Sequence, residues 1–142
     1  MLYSSYSYRY EEHSVLDTLP LLNRLDFPPI KRRALDTLQV NLTYECNQRC
    51  LHCHVNAGPT RTEAMTDEVI EDLYRVLDAH SVQTLDLTGG APEMHPRFRD
   101  IVRHARTEGI EVIDRCNLTI LSEPGYEDLA DFLAENRVSV SA

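Results

Sequence analysis

Strand-like and helix-like patterns alternate along this chain of 142 residues, and this alternation restricts its fold more than any other feature. Residues 38–42 alternate between apolar and polar side chains, which predicts a first strand. Residues 84–88, 110–113 and 138–140 predict three further strands, each preceded by a helical pattern. The resulting order βαβαβαβ predicts an α/β fold with a parallel sheet and right-handed crossovers.

The three helices are predicted from apolar residues that recur at helical spacing. Thr66 is a good N-cap for the first helix, which should end near His80. Pro96 is placed to open the second helix and Gly109 to end it, while the third covers about residues 126–136. The residues predicted to face the core are, in chain order, Val69, Leu73, Val76, Leu77, Phe98, Ile101, Val102, Ala105, Leu129, Phe132 and Leu133.

The domain organisation is predicted from the chain length and from where these patterns begin. Residues 1–34 are predicted to form a partly helical leader that contains the helix-breaking pair Pro28-Pro29, and residues 35–142 to form the core. A closed eight-unit barrel takes about 250 residues. Four strands therefore predict the N-terminal half of a partial (β/α) barrel, truncated at the fourth strand. The alternative is a small, complete α/β domain.

The composition argues against several classes of protein. The formal net charge is -9, and the one dense basic run is residues 31–33, so a nucleic-acid partner is not expected. No apolar stretch approaches the roughly 20 residues of a membrane-spanning helix. Residues 1–10 lack the apolar segment of a signal peptide. We therefore expect a cytoplasmic protein without membrane contact, in which thiols stay reduced.

Three closely spaced cysteines, Cys46, Cys50 and Cys53, follow the first predicted strand with the spacing C-x3-C-x2-C. Because they are badly placed for two independent disulfides, a metal centre is favoured. The pattern supplies no fourth ligand at matching spacing, which leaves one coordination position open for chemistry. Iron–sulfur clusters take thiolate ligands and are favoured, while zinc with His52 or His54 as a fourth ligand stays open as the alternative.

Two further loops carry candidate functional residues at the ends of predicted strands. Gly89, Gly90 and Glu93 follow the second strand, and residues 114–117 follow the third. Because the carboxyl ends of parallel strands share one edge, these loops should lie beside the cysteines. The glycine pair is either a cradle for a polar cofactor group or an ordinary turn. Glu93 either accepts a hydrogen bond from a ligand ammonium group or is exposed.

The loop after the third strand leaves two pairs of alternatives. Cys116 either faces the mouth of the barrel, where it can touch a substrate, or is a small buried apolar residue. Arg115 either pairs with Asp114 or holds another carboxylate.

The cysteine spacing after the first strand, with a glycine pair after the second, resembles the radical S-adenosylmethionine (SAM) superfamily. The resemblance implies that Cys46, Cys50 and Cys53 hold a [4Fe-4S] cluster whose free iron binds the amino and carboxylate groups of SAM. It also implies that the glycine motif contacts the SAM amino group, here through Gly89, Gly90 and Glu93. The superfamily usually has Gly-Gly-Glu in succession, whereas this chain has Ala91-Pro92 before the glutamate.

One more position follows from the same resemblance. The residue before the last cysteine is often aromatic and lies near the adenine of SAM, and here it is His52. One electron from a donor such as flavodoxin or ferredoxin would start the cleavage of SAM to a 5′-deoxyadenosyl radical.

Four blocks are also similar to the arsenosugar-biosynthesis radical SAM proteins: residues 38–43, 53–59, 88–93 and 114–119. This narrower resemblance implies transfer of a 5′-deoxyadenosyl group to a methylated trivalent arsenical. Arsenic(III) is thiophilic, which makes Cys116 a candidate catalytic residue that contacts the substrate. The alternatives are radical SAM chemistry on a peptide or another small molecule, and a non-catalytic zinc module. Residues 1–142 alone are expected to be weakly active or inactive.

Overall fold

Four parallel strands form the centre of the computed structural model, which describes residues 20, 24–26, 31 and 34–142. They are β1 (Thr37–Thr43), β2 (Thr84–Gly89), β3 (Glu111–Asp114) and β4 (Ser139–Val140). The strands lie side by side in chain order, and every neighbouring pair is parallel. This confirms the predicted α/β class and is consistent with an N-terminal partial barrel. The predicted leader lies almost entirely outside the described residues.

Three helices connect the strands: α1 (Asp67–Ala79), α2 (Phe98–Thr107) and α3 (Leu129–Glu135). Short 3-10 helices at Pro92–Met94 and Thr119–Ser122 precede α2 and α3. The third helix begins later than predicted, because the carboxylate of Glu127 accepts a hydrogen bond from the Gly125 N–H at 3.0 Å and holds a turn there. Within the described part of the chain, no helix is long and apolar enough to cross a membrane.

The first helix begins and ends as predicted. Its N-cap is Thr66, whose Oγ1 accepts a hydrogen bond from the Val69 N–H at 3.4 Å, and its C-cap is His80. The buried stripe differs from the prediction, because Ile70 takes the core position that was assigned to Val69, and Val69 is 44% exposed. In α2 and α3, every residue predicted to face the core is buried. Gly109, at φ +77°, follows α2 as the prediction required.

Strand register assigns the side chains of the sheet to two faces. Val40, Leu87 and Asp114 lie side by side in β1, β2 and β3, and all three are buried in the apolar core. Gln39 and Asp86 are paired in the same way one residue earlier, so their side chains point to the opposite face. The last residue of β3 therefore places a carboxylate inside the core.

Candidate functional site

The three loops predicted to meet at the carboxyl edge of the sheet do lie together. The N–H groups of Gly90 and Ala91 donate to the carbonyl oxygens of Thr43 and Glu45 at 2.7 and 2.8 Å, which joins the turn after β2 to the end of β1. From the loop after β3, the Asn117 amide donates to the Cys46 sulfur at 3.5 Å. Main-chain and side-chain hydrogen bonds thus fix the cysteine segment from both neighbours.

The cysteine segment itself folds as a loop closed at its base. The Gly58 N–H donates to the Tyr44 carbonyl at 3.1 Å, and the Cys46 N–H donates to the Gly58 carbonyl at 3.3 Å. Inside this base, the Cys53 N–H donates to the Cys50 carbonyl at 3.2 Å, which forms a tight turn between the last two cysteines. Cys46 is buried, Cys53 is half-buried and Cys50 is exposed, and all three are free thiols.

Glycine is required at both positions of the pair after β2. Gly89 has φ +136°, a backbone conformation that favours glycine, and a Cβ there would overlap the Thr43 carbonyl oxygen. A Cβ on Gly90 would overlap the Glu45 carbonyl and lie 3.0 Å from the Cys46 Cβ. The pair therefore lets the cysteine loop approach β2 closely. Its predicted contact with a cofactor is a separate role and stays a prediction.

Glu93, Asp114 and Cys116 form a buried cluster beside this turn. One ligand atom from each side chain lies within 4.8 Å of the other two. Glu93 is only 6% exposed, so the alternative that it is a surface residue is wrong. Burial and the neighbouring Glu93 carboxylate raise the pKa of Asp114 far above its ordinary value, to about 8.

Cys116, the third member of this cluster, is also buried. It is 2% exposed, and burial, followed by the nearby Glu93, raises the pKa of its thiol to about 12. Of the two alternatives for Cys116, the structure therefore agrees with a small buried residue. The predicted substrate contact stays a prediction, and the burial of the sulfur leaves a substrate little access to it.

Arg115 and Asp114 do not pair with each other, although they are adjacent. The guanidinium of Arg115 donates to both carboxylate oxygens of Asp86 at 2.8 Å, which is the other alternative that the sequence left open. Successive residues of an extended segment point to opposite faces, so Arg115 faces Asp86 while Asp114 enters the core. The guanidinium, helped by the Gln39 amide, lowers the pKa of the Asp86 carboxyl.

The family of the chain is established by comparison with known proteins. The model described as the radical SAM superfamily matches residues 40–142, which is most of the chain. The chain belongs to the radical SAM superfamily.

Several relatives of this radical SAM chain are named for a reaction of GTP, and another is named for molybdenum cofactor biosynthesis. A probable GTP 3′,8-cyclase of Methanothermobacter marburgensis is 32% identical over 114 residues, which cover 78% of this chain and 36% of the relative. GTP 3′,8-cyclase of Chlorobaculum tepidum is 32% identical over 82 residues, which cover 57% and 25%. Molybdenum cofactor biosynthesis protein 1 of Mus musculus is 36% identical over 85 residues, covering 58% and 13%. The matched part spans about a third or less of each relative.

Membership confirms the predicted cofactors, a [4Fe-4S] cluster and SAM. The residues present fit the cluster. Three free thiols on one loop supply its usual ligands. Backbone N–H groups already point at two of the sulfurs: Gln48 donates to the Cys46 sulfur and Ala57 to the Cys53 sulfur, each at 3.4 Å. Hydrogen bonds of this kind stabilise a thiolate.

A single zinc ion fits the cysteine loop less well. Around a tetrahedral zinc ion with Zn–S bonds of about 2.3 Å, the ligand atoms lie roughly 3.8 Å apart. In residues 34–142, the one trio of histidine, cysteine or acidic ligand atoms within 4.8 Å of one another is the Glu93 cluster, not the three cysteines. His52 and His54, the proposed fourth ligands, are both exposed. At least two of the three cysteine sulfurs therefore lie more than 4.8 Å apart, farther than one tetrahedral zinc ion allows without movement of the loop.

The sequence did not predict the roles of two asparagines, Asn47 and Asn117, although Asn117 lies in the predicted loop after the third strand. The Asn117 Nδ2 also donates to the Asn47 Oδ1 at 2.9 Å, and the Asn47 Nδ2 donates to the Thr119 hydroxyl at 2.9 Å. The Asn117 Oδ1 accepts from the Ile120 N–H at 3.2 Å and so begins the second 3-10 helix. The signal that could have found this turn is an asparagine two residues before a threonine, because such side chains bond the backbone that follows them.

Proposed function

We propose that this chain is the cluster-binding and SAM-binding part of a radical SAM enzyme, with Cys46, Cys50 and Cys53 as the iron ligands. The observation that carries the proposal is the arrangement of three free thiols on one closed loop at the carboxyl end of β1, docked against the glycine turn. When bound, the cluster and SAM together supply a 5′-deoxyadenosyl radical. The protein must position these groups and exclude water.

Gly90, Asn117 and the burial of Cys46 each contribute to holding the cysteine loop in place. Gly90 fixes the distance between the cysteine loop and β2, and the amide of Asn117 supports the buried Cys46 sulfur from the third loop. Burial of Cys46, which is 7% exposed, keeps water from one side of the loop, while the exposed Cys50 leaves the other side open. We propose that SAM binds on the open side, along Gly89 and Gly90.

Two further SAM contacts came from the family resemblance. His52 is exposed beside Cys53, which supports its proposed place near the adenine. The SAM contact expected of Glu93 stays a prediction, and its carboxylate lies in the buried cluster with Asp114 and Cys116. Ala91 stands at the third position of the glycine motif and is fully buried. We propose that main-chain atoms of the glycine turn, Gly89 and Gly90, contribute to recognition of the SAM amino group.

For the substrate, we propose a methylated trivalent arsenical that receives a 5′-deoxyadenosyl group. The proposal rests on the four blocks that resemble the arsenosugar-biosynthesis proteins. The relatives above are named for GTP cyclisation and lend this substrate no support. Their names favour a second candidate, in which the substrate is a purine nucleotide. Both candidates are small molecules, and both use the same cluster and SAM.

A product assay distinguishes the two candidates. The protein that carries residues 1–142 is loaded with iron and sulfide under anaerobic conditions and given SAM, with reduced flavodoxin or ferredoxin as the electron donor. A methylated trivalent arsenical and GTP are offered separately, and products are identified by mass spectrometry. We expect an adenosylated arsenical and unchanged GTP, and no product from a Cys50→Ser variant. Consumption of GTP with an unchanged arsenical would reject the arsenical in favour of the nucleotide.

A further inference from the structure

Three buried side chains that can ligate a metal meet beneath the carboxyl edge of the sheet, apart from the cysteine loop. Glu93 comes from the 3-10 helix after β2, Asp114 is the last residue of β3, and Cys116 lies in the loop that follows. One ligand atom from each lies within 4.8 Å of the others. They are 6%, 0% and 2% exposed, respectively.

When both are ionised, the carboxylates of this cluster lack a hydrogen-bond donor among the described residues. All four oxygens, two on Glu93 and two on Asp114, are buried, and a hydrogen bond from Asp114 or from the Cys116 thiol to Glu93 requires that a proton be held in the cluster. Arg115, the cation nearest in sequence, is bound to Asp86 on the opposite face of the sheet. Burying an unpaired carboxylate is costly, and two adjacent ones cannot both be ionised without a positive charge between them. The cluster must therefore take up either a cation or protons.

We propose that Glu93, Asp114 and Cys116 bind one divalent metal ion of the zinc class. One thiolate and two carboxylates suit the borderline-soft zinc ion, whereas magnesium and calcium prefer oxygen ligands alone. Zinc–ligand bonds of about 2.0–2.3 Å put neighbouring ligand atoms roughly 3–4 Å apart, which the cluster allows. Two carboxylates and a thiolate carry three negative charges, so the ion removes most of the buried charge.

The ion would join two neighbouring strands at the functional edge of the sheet. Glu93 follows β2 and Asp114 ends β3, so a bound ion ties the turn after one strand to the end of the next. Asn117, directly after Cys116, donates to the Cys46 sulfur. By fixing Cys116, the ion would also hold Asn117 in place for this hydrogen bond to the cysteine loop. This role replaces the substrate contact predicted for Cys116, and it does not depend on the iron–sulfur cluster.

The sequence offers a clean spectroscopic test, because it contains four cysteines in total. Replacing Cys46, Cys50 and Cys53 with serine leaves Cys116 as the one remaining cysteine, so any thiolate–metal bond must come from it. This variant, checked for folding by circular dichroism, is titrated with cobalt(II) and zinc(II). We expect one equivalent of cobalt to bind with release of protons and to give a thiolate-to-metal absorption band, and we expect zinc to displace the cobalt and abolish this band. A folded variant that binds cobalt without this band, or binds no cobalt, overturns the proposal.

Point variants locate the ligands. In the triple-serine background, Asp114→Asn and Glu93→Gln should each weaken zinc binding at least about 10-fold. Removing a residue that only hydrogen-bonds a metal ligand already costs about that much, and a direct ligand should cost no less. Asp86→Asn is the matched control, since it neutralises a buried carboxylate outside the cluster and should leave zinc affinity unchanged. Unchanged zinc affinity in Asp114→Asn would mean that Asp114 is not a ligand, and would reject the site.

A second measurement keeps the test independent of the triple variant. The natural chain, loaded with its iron–sulfur cluster and then incubated with zinc, should retain one zinc per chain after gel filtration. A Cys116→Ser variant should lose this zinc and keep its iron. If the natural chain retains no zinc, or if the variant retains as much zinc as the natural chain, the proposed site is wrong.

Discussion

Gly90→Ala should destabilise the protein by pushing the cysteine loop away from β2. The added Cβ would overlap the Glu45 carbonyl, so the loop must move by on the order of 1 Å to reach ordinary contact distance. That movement weakens two hydrogen bonds, from Gly90 to Thr43 and from Ala91 to Glu45. Overpacking costs about 1–3 kcal/mol, and each main-chain bond contributes about 1 kcal/mol. If the two weakened bonds together lose about half of their contribution, about 1 kcal/mol, the free energy of unfolding should fall by about 2–4 kcal/mol.

Urea unfolding of the purified chain measures this change, and Gly58→Ala is its matched control. Gly58 lies at the base of the same loop, but its added Cβ would meet only Arg49 Nε at 3.7 Å and Gln48 O at 3.9 Å, which are ordinary contacts. This control should be neutral or stabilised by up to about 1 kcal/mol, because alanine restricts the unfolded chain. Gly90→Ala should also incorporate less iron. The reasoning fails if Gly90→Ala unfolds within about 0.5 kcal/mol of the natural chain.

Three further substitutions probe the cap, the sulfur hydrogen bond and the half-buried ion pair of Arg115 with Asp86. Thr66→Ala should lower the free energy of unfolding by about 1 kcal/mol in urea, because it removes the N-cap acceptor of α1, whereas Thr66→Ser should not. Asn117→Ala removes the donor to the Cys46 sulfur and should make the cluster's midpoint potential more negative by on the order of 40 mV, in a redox titration followed by electron paramagnetic resonance. Arg115→Ala removes the group that lowers the pKa of Asp86. The stabilisation from this lowered pKa is present above the ordinary carboxyl pKa of about 3.9 and is lost as pH falls through the lower pKa of the folded state. In urea unfolding, Arg115→Ala should therefore have a smaller free energy of unfolding than the natural chain at neutral pH, and the difference should disappear in strong acid.

Each of these has a result that would contradict it. An N-cap role for Thr66 is excluded if serine and alanine destabilise the chain equally. An unchanged potential in Asn117→Ala would mean that its contact with Cys46 does not tune the cluster. A stability deficit of Arg115→Ala that is equally large at all pH values would point to lost packing of the arginine stem and away from its charge.

The order and type of the elements could be predicted because they depend on local pattern. The capping threonine, the apolar spacing of α2 and the terminal Gly109 each act within one turn of helix, so the sequence around them is sufficient. The exposure of Val69 could not be predicted in this way. Ile70 and Val69 are both apolar and adjacent, and which of them faces the core depends on how α1 is rotated against the sheet.

In the candidate site, too, the residues of local motifs could be predicted, whereas contacts between distant residues could not. The three cysteines and the glycine pair are contiguous motifs, and parallel strands bring such motifs to one edge. The pairing of Arg115 with Asp86 and the bond between Asn117 and Cys46 join residues 29 and 71 positions apart. The burial of Glu93 likewise depends on strand register, because β3 brings Asp114 and Cys116 beside the turn after β2. Contacts of this kind follow from the assembled sheet and have no local signature.

The central claim is that Cys46, Cys50 and Cys53 hold a [4Fe-4S] cluster with one iron open to SAM. Electron paramagnetic resonance of the anaerobically reconstituted and reduced chain, before and after addition of SAM, tests it most directly. We predict the signal of a reduced four-iron cluster that changes shape when SAM is added, and a Cys50→Ser variant that binds little or no four-iron cluster. A colourless preparation containing zinc on these three cysteines, or a cluster signal that SAM leaves unchanged, would contradict the claim.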